Sequence, residues 1–460
     1  MTTTIFKGDS PPIDTFDDLL LAFRAGEKPR SHWRIGTEHE KLGFYRDNHN
    51  PLPFAGDNGI RAVLEAFCTK FGWEPVHEGE HLIALTRGEA SITLEPGGQL
   101  ELSGAAVASS HETCRELGIH LREMREIAEE LGLVLLMIGR NPVIPSAQMP
   151  WMPKERYAIM GRYLPTRGTM ARDMMLGTGT VQTNIDYSDE ADMALKLKVG
   201  LGIAPFLIAL FANSPFAEGR PTGYLSTRAR VWRNTDPDRS GFIPGVFDRD
   251  FGYRQYAEYA LDVPMFFIYR DGHYLDYSGH SFRRFMEHGL DGHQATQEDW
   301  ALHLTTLFPL VRVKQYLELR MVDVGPLDMI CAFAALTRGL FYDETALAGA
   351  ARLIQDIPPE EFARLEQAAS RSGLQAVAQG RPLREWAREL LTLASGGLER
   401  LNALDAKGDN EAKLMAPLHQ IVDSGKTLAD RLLELWDGEW KRRLDPIFDC
   451  SLVNFQLPSA

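Results

Sequence analysis

The stretch RIGTEHEKLGFY, from Arg34 to Tyr45, alternates with period two, so that Glu38 and Glu40 share one face of a strand while His39 and Lys41 take the other. Three further segments repeat the pattern. In GQLELSG, Gln99, Glu101 and Ser103 oppose Leu100 and Leu102, and Glu95 stands just before the Pro96-Gly97-Gly98 turn. In QYLELRM, Tyr316, Glu318 and Arg320 oppose Leu317, Leu319 and Met321, and in VQTNID, Gln182, Asn184 and Asp186 oppose Val181, Thr183 and Ile185. Four segments with one apolar face and one face of carboxylates, amides and an arginine predict an antiparallel sheet within an α+β fold.

A sheet with one wet side would explain the period but not the residues. Glutamate is depleted in strands, and like charges on neighbouring strands repel. Glu38, Glu40, Glu95, Glu101 and Glu318 gathered on one face would destabilise it unless cations sat between them. Magnesium is such a cation, usually held by a few carboxylates together with substrate phosphates. An acidic sheet that binds magnesium and carries arginines suits phosphoryl transfer without a glycine loop.

Composition sets the outer limits. The chain has 460 residues, 44% of them hydrophobic, enough for two or three domains or one large catalytic unit with an appendage. A formal net charge of -14 argues against nucleic acid as a partner. The N-terminal MTTTIFKGDSPPIDTF has neither a secretory nor a transit-peptide pattern, and a cytoplasmic protein is expected. The apolar run VGLGIAPFLIALFA, residues 199–212, is broken by Pro205 and reads as a buried helix rather than a membrane span. Cys68, Cys114, Cys331 and Cys450 lie far apart, so neither a zinc site nor a disulfide framework is expected, and Cys331 reads as a small buried residue.

Helical periods mark TFDDLLLAFRAG (15–26), ETCRELGIHLREMREIAEELG (112–132) and EADMALKLKVGLGIAPFLIALFAN (190–213), and from Leu327 onward the pattern is almost entirely helical. The predicted layout is an N-terminal helical segment over 1–29, a catalytic core over 30–340 and a helical part over 341–460, whose charges read as solvent faces.

Other motifs compete with the acidic face. HEGEH, His77 to His81, has the spacing of a zinc hydrolase helix, but Gly79 inside it, Pro75 before it and strand-like flanks oppose a helix. SGKT, Ser424 to Thr427, ends like a P-loop yet has Gln420 where the first glycine belongs, and GTGT at 177–180 is too short for a dinucleotide fold. YLSTRARVWRNTDPDRSG, residues 224–241, gathers Arg228, Arg230, Arg233 and Arg239, which suits capture of phosphate or carboxylate. The alternative is a solvated loop paired with Asp236 and Asp238.

GTEHEKLGF, SITLEPGGQLELSG, DMMLGTGTVQTNIDY, ANSPFAEGRPTGYLSTR, FGYRQYAEYALDVPMFF, HLTTLFPLVRVKQYLELR and LLELWDGEW occur in order over residues 30–450. Together they resemble the plant and proteobacterial type of glutamate-cysteine ligase, within the carboxylate-amine ligases. The resemblance implies a glutamine synthetase-like core, a curved antiparallel sheet forming a half-funnel with helices around it. It implies ATP-dependent joining of the γ-carboxylate of L-glutamate to the amine of L-cysteine through a γ-glutamyl phosphate, the first step of glutathione synthesis. Carried onto matching positions, it implies Glu38, Glu40, Glu95, Glu101 and Glu318 as ligands of two or three Mg2+ ions, with Mn2+ as a substitute. Arg320 and Arg228 would then be catalytic. Gln182, Asn184 and Arg228 would bind substrate, and Arg230 and Arg233 the nucleotide. The partners implied are L-glutamate, L-cysteine and ATP, with no nucleic acid or membrane, in a monomer or homodimer.

The chain also departs from that family. Plant members carry regulatory cysteine pairs, yet Tyr277 stands where one cysteine is expected and residues 278–330 contain none, so a redox switch is expected to be missing although Cys114 remains. Two other readings stay open. One is a ligase that uses a different amine, and the other is a non-catalytic protein that binds a divalent cation.

Overall fold

The computed structural model describes residues 10–449. Its frame is a nine-stranded sheet of β1 (Ile35–Tyr45), β2 (Glu74–Glu78), β3 (His81–Arg87), β4 (Ala90–Leu94), β5 (Leu100–Ser103), β6 (Leu133–Leu136), β7 (Thr180–Ile185), β8 (Val311–Val313) and β9 (Leu317–Asp323). The strands run in the order β8-β9-β7-β1-β5-β4-β3-β2, and β6 pairs with the last four residues of β1. Every pairing is antiparallel, as the alternating segments predict.

β1 is buried on both faces from Ile35 to Phe44, which a two-layer cover explains. On the face away from the acids, His39 and Lys41 are fully buried, and the helices Ile60–Phe71 and Ser110–Leu131 bring Phe67 and His120 over them. The His39 and His120 rings lie 5.7 Å apart, and Phe67 stacks on His120 at 5.7 Å. Burial, with Lys41 nearby, pushes His39 well below its ordinary value, so it packs as a neutral ring.

The apolar run becomes part of a 21-residue helix, Glu190–Leu210, which continues through Pro205. It is long and apolar enough to cross a membrane, but 83% of its apolar window is buried inside this fold. C-terminal helices cover it, with Trp386 stacked on Phe206 at 5.4 Å.

The part after residue 326 is helical as predicted: Leu327–Tyr342, Glu344–Ile354, Glu361–Ser372, Leu383–Leu401, Ala416–Ser424 and Leu428–Asp437. The first and fourth of these cross at Gly339 and Gly397, where a Cβ on either would collide with the other helix's backbone. The 340/341 boundary falls inside the helix Leu327–Tyr342, and one continuous apolar core joins both sides of it.

Two expectations are corrected here. Cys114 and Cys331, 217 residues apart in sequence, have Cα atoms 5.5 Å apart and form a disulfide between the helices Ser110–Leu131 and Leu327–Tyr342. Sequence distance hid the pair because the two helices pack side by side. Cys68 is a free thiol, and Cys450 lies outside the described residues. Nor are all charges of the helical tail solvent faces. Glu411 is fully buried, accepting from the Ser110 N–H at 2.5 Å and from Arg338, and Glu366 is buried beside Arg233.

Candidate active site

The sheet register brings the acids together. Glu40 on β1 lies opposite Glu101 on β5, and Glu38 lies opposite Gln182 on β7. Glu38 accepts from the Asn184 amide at 2.9 Å and the Gln182 amide at 3.4 Å, while Glu101 accepts from the Thr93 and Ser103 hydroxyls at 3.1 and 3.2 Å. Glu95 is placed by the tight turn between β4 and β5. The Gly98 N–H bonds back to the Glu95 carbonyl at 2.9 Å with Gly98 at φ 82°, a conformation glycine adopts without strain. Gln99, on the acidic face by alternation, bonds instead to the Gly97 N–H and the Thr178 carbonyl and so fixes that turn.

Glu40, Glu95 and Glu101 line one small cavity with Gln182, Arg320 and Trp232. Burial, reinforced by Glu95 and Glu101, pushes Glu40 well above the usual carboxylate range, despite Arg228. Burial and the neighbouring Glu101 raise Glu95 to about 7, against the pull of Lys154 and Arg156. Three buried carboxylates on one cavity, of which Glu40 and Glu95 resist ionisation, are a donor set that a divalent cation would satisfy, since a cation reverses both the repulsion and the desolvation cost. Among the described residues, however, no three acidic, His or Cys side chains already converge on one cation position.

Glu318 sits in different surroundings. It is fully buried and accepts from Arg312 Nε at 3.0 Å and Nη2 at 2.7 Å; Lys314 approaches to 3.2 Å, and Arg320 also bonds to it. Burial alone would raise its carboxyl, but the three cations hold it well below the usual range. A bulge sets Arg320. The β9 pairing with β7 jumps from Leu319–Thr183 to Val322–Val181, so an extra β9 residue stands opposite Gln182. Arg320 Nη1 there donates to Gln182 Oε1 at 2.5 Å.

The arginine segment forms the helix Thr227–Arg233. Arg228 is buried and donates to the Arg320 carbonyl at 2.8 Å, and burial lowers it to about 10 although Asp323 and Glu40 oppose that change. Arg230 lies over the Tyr224 ring at 4.8 Å, outside the acid cavity, and Arg239 is locked in the interior by Asp236 and two backbone carbonyls. Arg233 reaches Glu366 at 3.5 Å.

Several residues of this site escaped the sequence reading. Asp323, at the end of β9, accepts from the Asn213 N–H and from the Ser214 and Ser226 hydroxyls, and Ser226 caps the arginine helix. Strict alternation puts Asp323 with the apolar Leu317 and Leu319, and the bulge turns it. Lys154 and Tyr157, on or next to the helix Glu155–Tyr163, donate to the Leu94 carbonyl beside Glu95. Tyr157 also lines a cleft of about 700 Å3 with Trp151, Met152, Lys154 and Arg172. HEGEH is a β-hairpin with its turn at Gly79 (φ 57°), Glu78 pairing with His81, so the zinc helix does not exist. SGKT holds a helix C-cap, Gly425, and the next helix's N-cap, Thr427.

With this geometry in hand, comparison with known proteins is specific. The sequence profile of Glutamate-cysteine ligase family 2 matches residues 34–446. The chain belongs to that family. It is 44% identical over 437 residues to the chloroplastic glutamate-cysteine ligase of Brassica juncea, covering 94% of this chain and 83% of that protein. The chloroplastic enzyme of Arabidopsis thaliana is 43% identical over 438 residues, covering 95% and 82%. Among solved structures, a glutamate-cysteine ligase from Francisella tularensis in complex with AMP superimposes with a TM-score of 0.55 at 14% identity, over 91% of this chain and 87% of that one. That likeness is one of fold. The compartment expectation is corrected: these relatives are named chloroplastic, so a cytoplasmic location read from the absence of a transit pattern does not hold.

Proposed function

We propose that this enzyme joins the γ-carboxylate of L-glutamate to the amine of L-cysteine at the expense of ATP. The observation that carries this reading is the cavity where Glu40, Glu95 and Glu101 face Arg320 and Gln182, in a chain of this family. A carboxylate is a poor acyl donor because its leaving group would be oxide. ATP therefore first phosphorylates the γ-carboxylate, and the cysteine amine then displaces phosphate from the acyl phosphate.

Each group of residues has a part in that sequence. Glu40, Glu95 and Glu101 would hold magnesium, which supplies positive charge to the triphosphate. Glu38 fixes the Gln182 and Asn184 amides that line the donor side. Glu318 and Arg312 form a buried anchor that aims Arg320 at the transferring phosphoryl group, where developing negative charge needs a fixed cation. Arg228, tied to the Arg320 carbonyl, adds a second charge. The cleft along Trp151, Lys154 and Arg172 adjoins the acid cavity at Tyr157 and has room for a nucleotide. Nothing in these contacts gives Arg230 a role towards the nucleotide, whereas Arg233 belongs with Glu366.

The test is phosphate release with ATP, magnesium, L-glutamate and a panel of amines. L-Cysteine is expected to stimulate turnover most. Stronger stimulation by another amine would refute the choice of acceptor, and metal binding without any turnover would refute the ligase reading.

A further inference from the structure

The helix Thr227–Arg233 is held by one carboxylate that the proposed reaction does not use. Asp323, at the end of β9, is buried and accepts three hydrogen bonds: Oδ2 from the Asn213 N–H at 2.9 Å and the Ser214 hydroxyl at 2.6 Å, and Oδ1 from the Ser226 hydroxyl at 2.8 Å. Each serine passes that hold to the helix. Ser214 Oγ accepts from the Arg228 N–H at 3.1 Å, and Ser226 Oγ, at the N-cap, accepts from the Ala229 N–H at 3.2 Å. A hydroxyl that donates to a carboxylate turns its lone pairs elsewhere, so Asp323 orients both serines towards the helix backbone. Packing keeps the carboxylate in place: a Cβ on Gly139 would lie 2.3 Å from Asp323 Cγ, so the chain closes directly over it.

The far end of Arg228 is tied to the same strand. Its Nη2 donates to the Arg320 carbonyl at 2.8 Å, so β9 grips the helix backbone through Asp323 and the guanidinium through Arg320. Nε of Arg228 meets no acceptor among the described residues, which leaves a donor for the reacting groups. Charge matters as well as geometry, because a buried guanidinium needs a counter-charge. Burial pulls Arg228 down, and the acids opposing that are Asp323 first and Glu40 second. Glu40 is one of the carboxylates assigned to the metal, so in the loaded site Asp323 is the acid left to the arginine.

We propose that Asp323 is the positioning residue for Arg228: through Ser214 and Ser226 it sets the first turn of the arginine helix, and it balances the guanidinium charge once Glu40 is engaged elsewhere. The inference rests on the ligase reading, in which Arg228 supplies charge at the transferring phosphoryl group. Asp323 itself touches no reacting atom. Its effect is leverage, since a shift of about 1 Å in a positioned group can cost about 100-fold in rate.

The experiment is a double-mutant cycle of Asp323→Asn and Arg228→Gln in the full chain, read by phosphate release with ATP, magnesium, L-glutamate and L-cysteine and by urea unfolding. Asparagine keeps the shape but removes the charge and one acceptor. Asp323→Asn is expected to lower kcat about tenfold or more with the KM for ATP within about twofold, and to lower kcat no further when Arg228 is already glutamine. Ser226→Ala should give a smaller loss of the same kind, and Ser226→Thr, which keeps the hydroxyl, should recover part of it. Losses that multiply in the double variant are what a residue that merely holds the fold would give, and they would overturn the proposal, as would an unaltered kcat in Asp323→Asn. Should Asp323→Asn not fold, Ser214→Ala takes its place in the cycle with the same two outcomes. The unfolding arm keeps the two readings apart. Absence of phosphate release from wild type refutes the ligase; the pairing is then judged by unfolding alone, where a double variant that loses less than the sum of the single losses supports it and one that loses the sum refutes it.

Discussion

Replacing Glu95 by glutamine should stabilise the metal-free protein at alkaline pH while abolishing turnover. In the fold the Glu95 carboxyl is raised to about 7 from an ordinary value of 4.5, by burial first and then by Glu101. A raised carboxyl makes its stabilising contribution below the unfolded value and loses it as pH rises through the folded value, because the unfolded chain ionises freely while the fold resists. The difference of 2.5 pH units, at ~1.4 kcal/mol each, is about 3 kcal/mol of strain fully present above pH 7 and absent below 4.5. Glutamine has the shape without the charge. Urea unfolding of both proteins in EDTA at pH 5 and pH 8.5 should show little difference at the acid end and an advantage of up to about 3 kcal/mol for Glu95→Gln at the alkaline end. Adding magnesium should stabilise wild type at pH 8.5 and narrow the gap, since metal binds the ionised carboxylate. A variant no more stable than wild type at pH 8.5 would refute the account of a frustrated acidic cavity.

The other expected outcomes concern separate parts of the molecule. Arg312→Met removes the main partner of a fully buried Glu318 and leaves the Thr305 and Leu307 carbonyls unmet, which should cost about 3–5 kcal/mol in urea unfolding; adding Glu318→Gln should recover a large part, and additive losses would refute the pairing. Arg320→Lys should lower kcat about 100-fold or more with a small change in melting temperature, because a point charge cannot keep both the Gln182 contact and the phosphoryl contact. Reducing the Cys114–Cys331 bond opens a loop of 217 residues and should lower unfolding free energy by about 3–5 kcal/mol, with Cys114→Ser insensitive to reductant. His77→Ala should leave kcat within about twofold, because the HEGEH hairpin holds no catalytic metal; a large loss would reopen the zinc reading.

The legible part of this protein was whatever alternates. Period two put Glu38, Glu40, Glu101, Gln182 and Glu318 on polar faces, and the register then made neighbours of Glu40 and Glu101. Alternation fails where the strand does: the bulge after Leu319 moved Asp323 from the expected apolar face to the polar network around Ser214 and Ser226. It also says nothing about partners on other strands, so Glu318 read as one acid among five although Arg312 neutralises it from β8. Long-range packing was beyond reach in the same way. A glutamate in an amphipathic helix looks solvated until the helix is docked, as with Glu366 and Glu411, and two cysteines 217 residues apart give no hint that their helices touch.

The central claim is that the acidic face activates the γ-carboxylate of glutamate by phosphorylation. L-Glutamate carrying 18O in its γ-carboxylate, incubated with the enzyme, ATP, magnesium and L-cysteine, tests it directly by mass spectrometry of the released phosphate. One labelled oxygen should appear in phosphate for each γ-glutamylcysteine formed; unlabelled phosphate alongside the peptide product would contradict the acyl phosphate route.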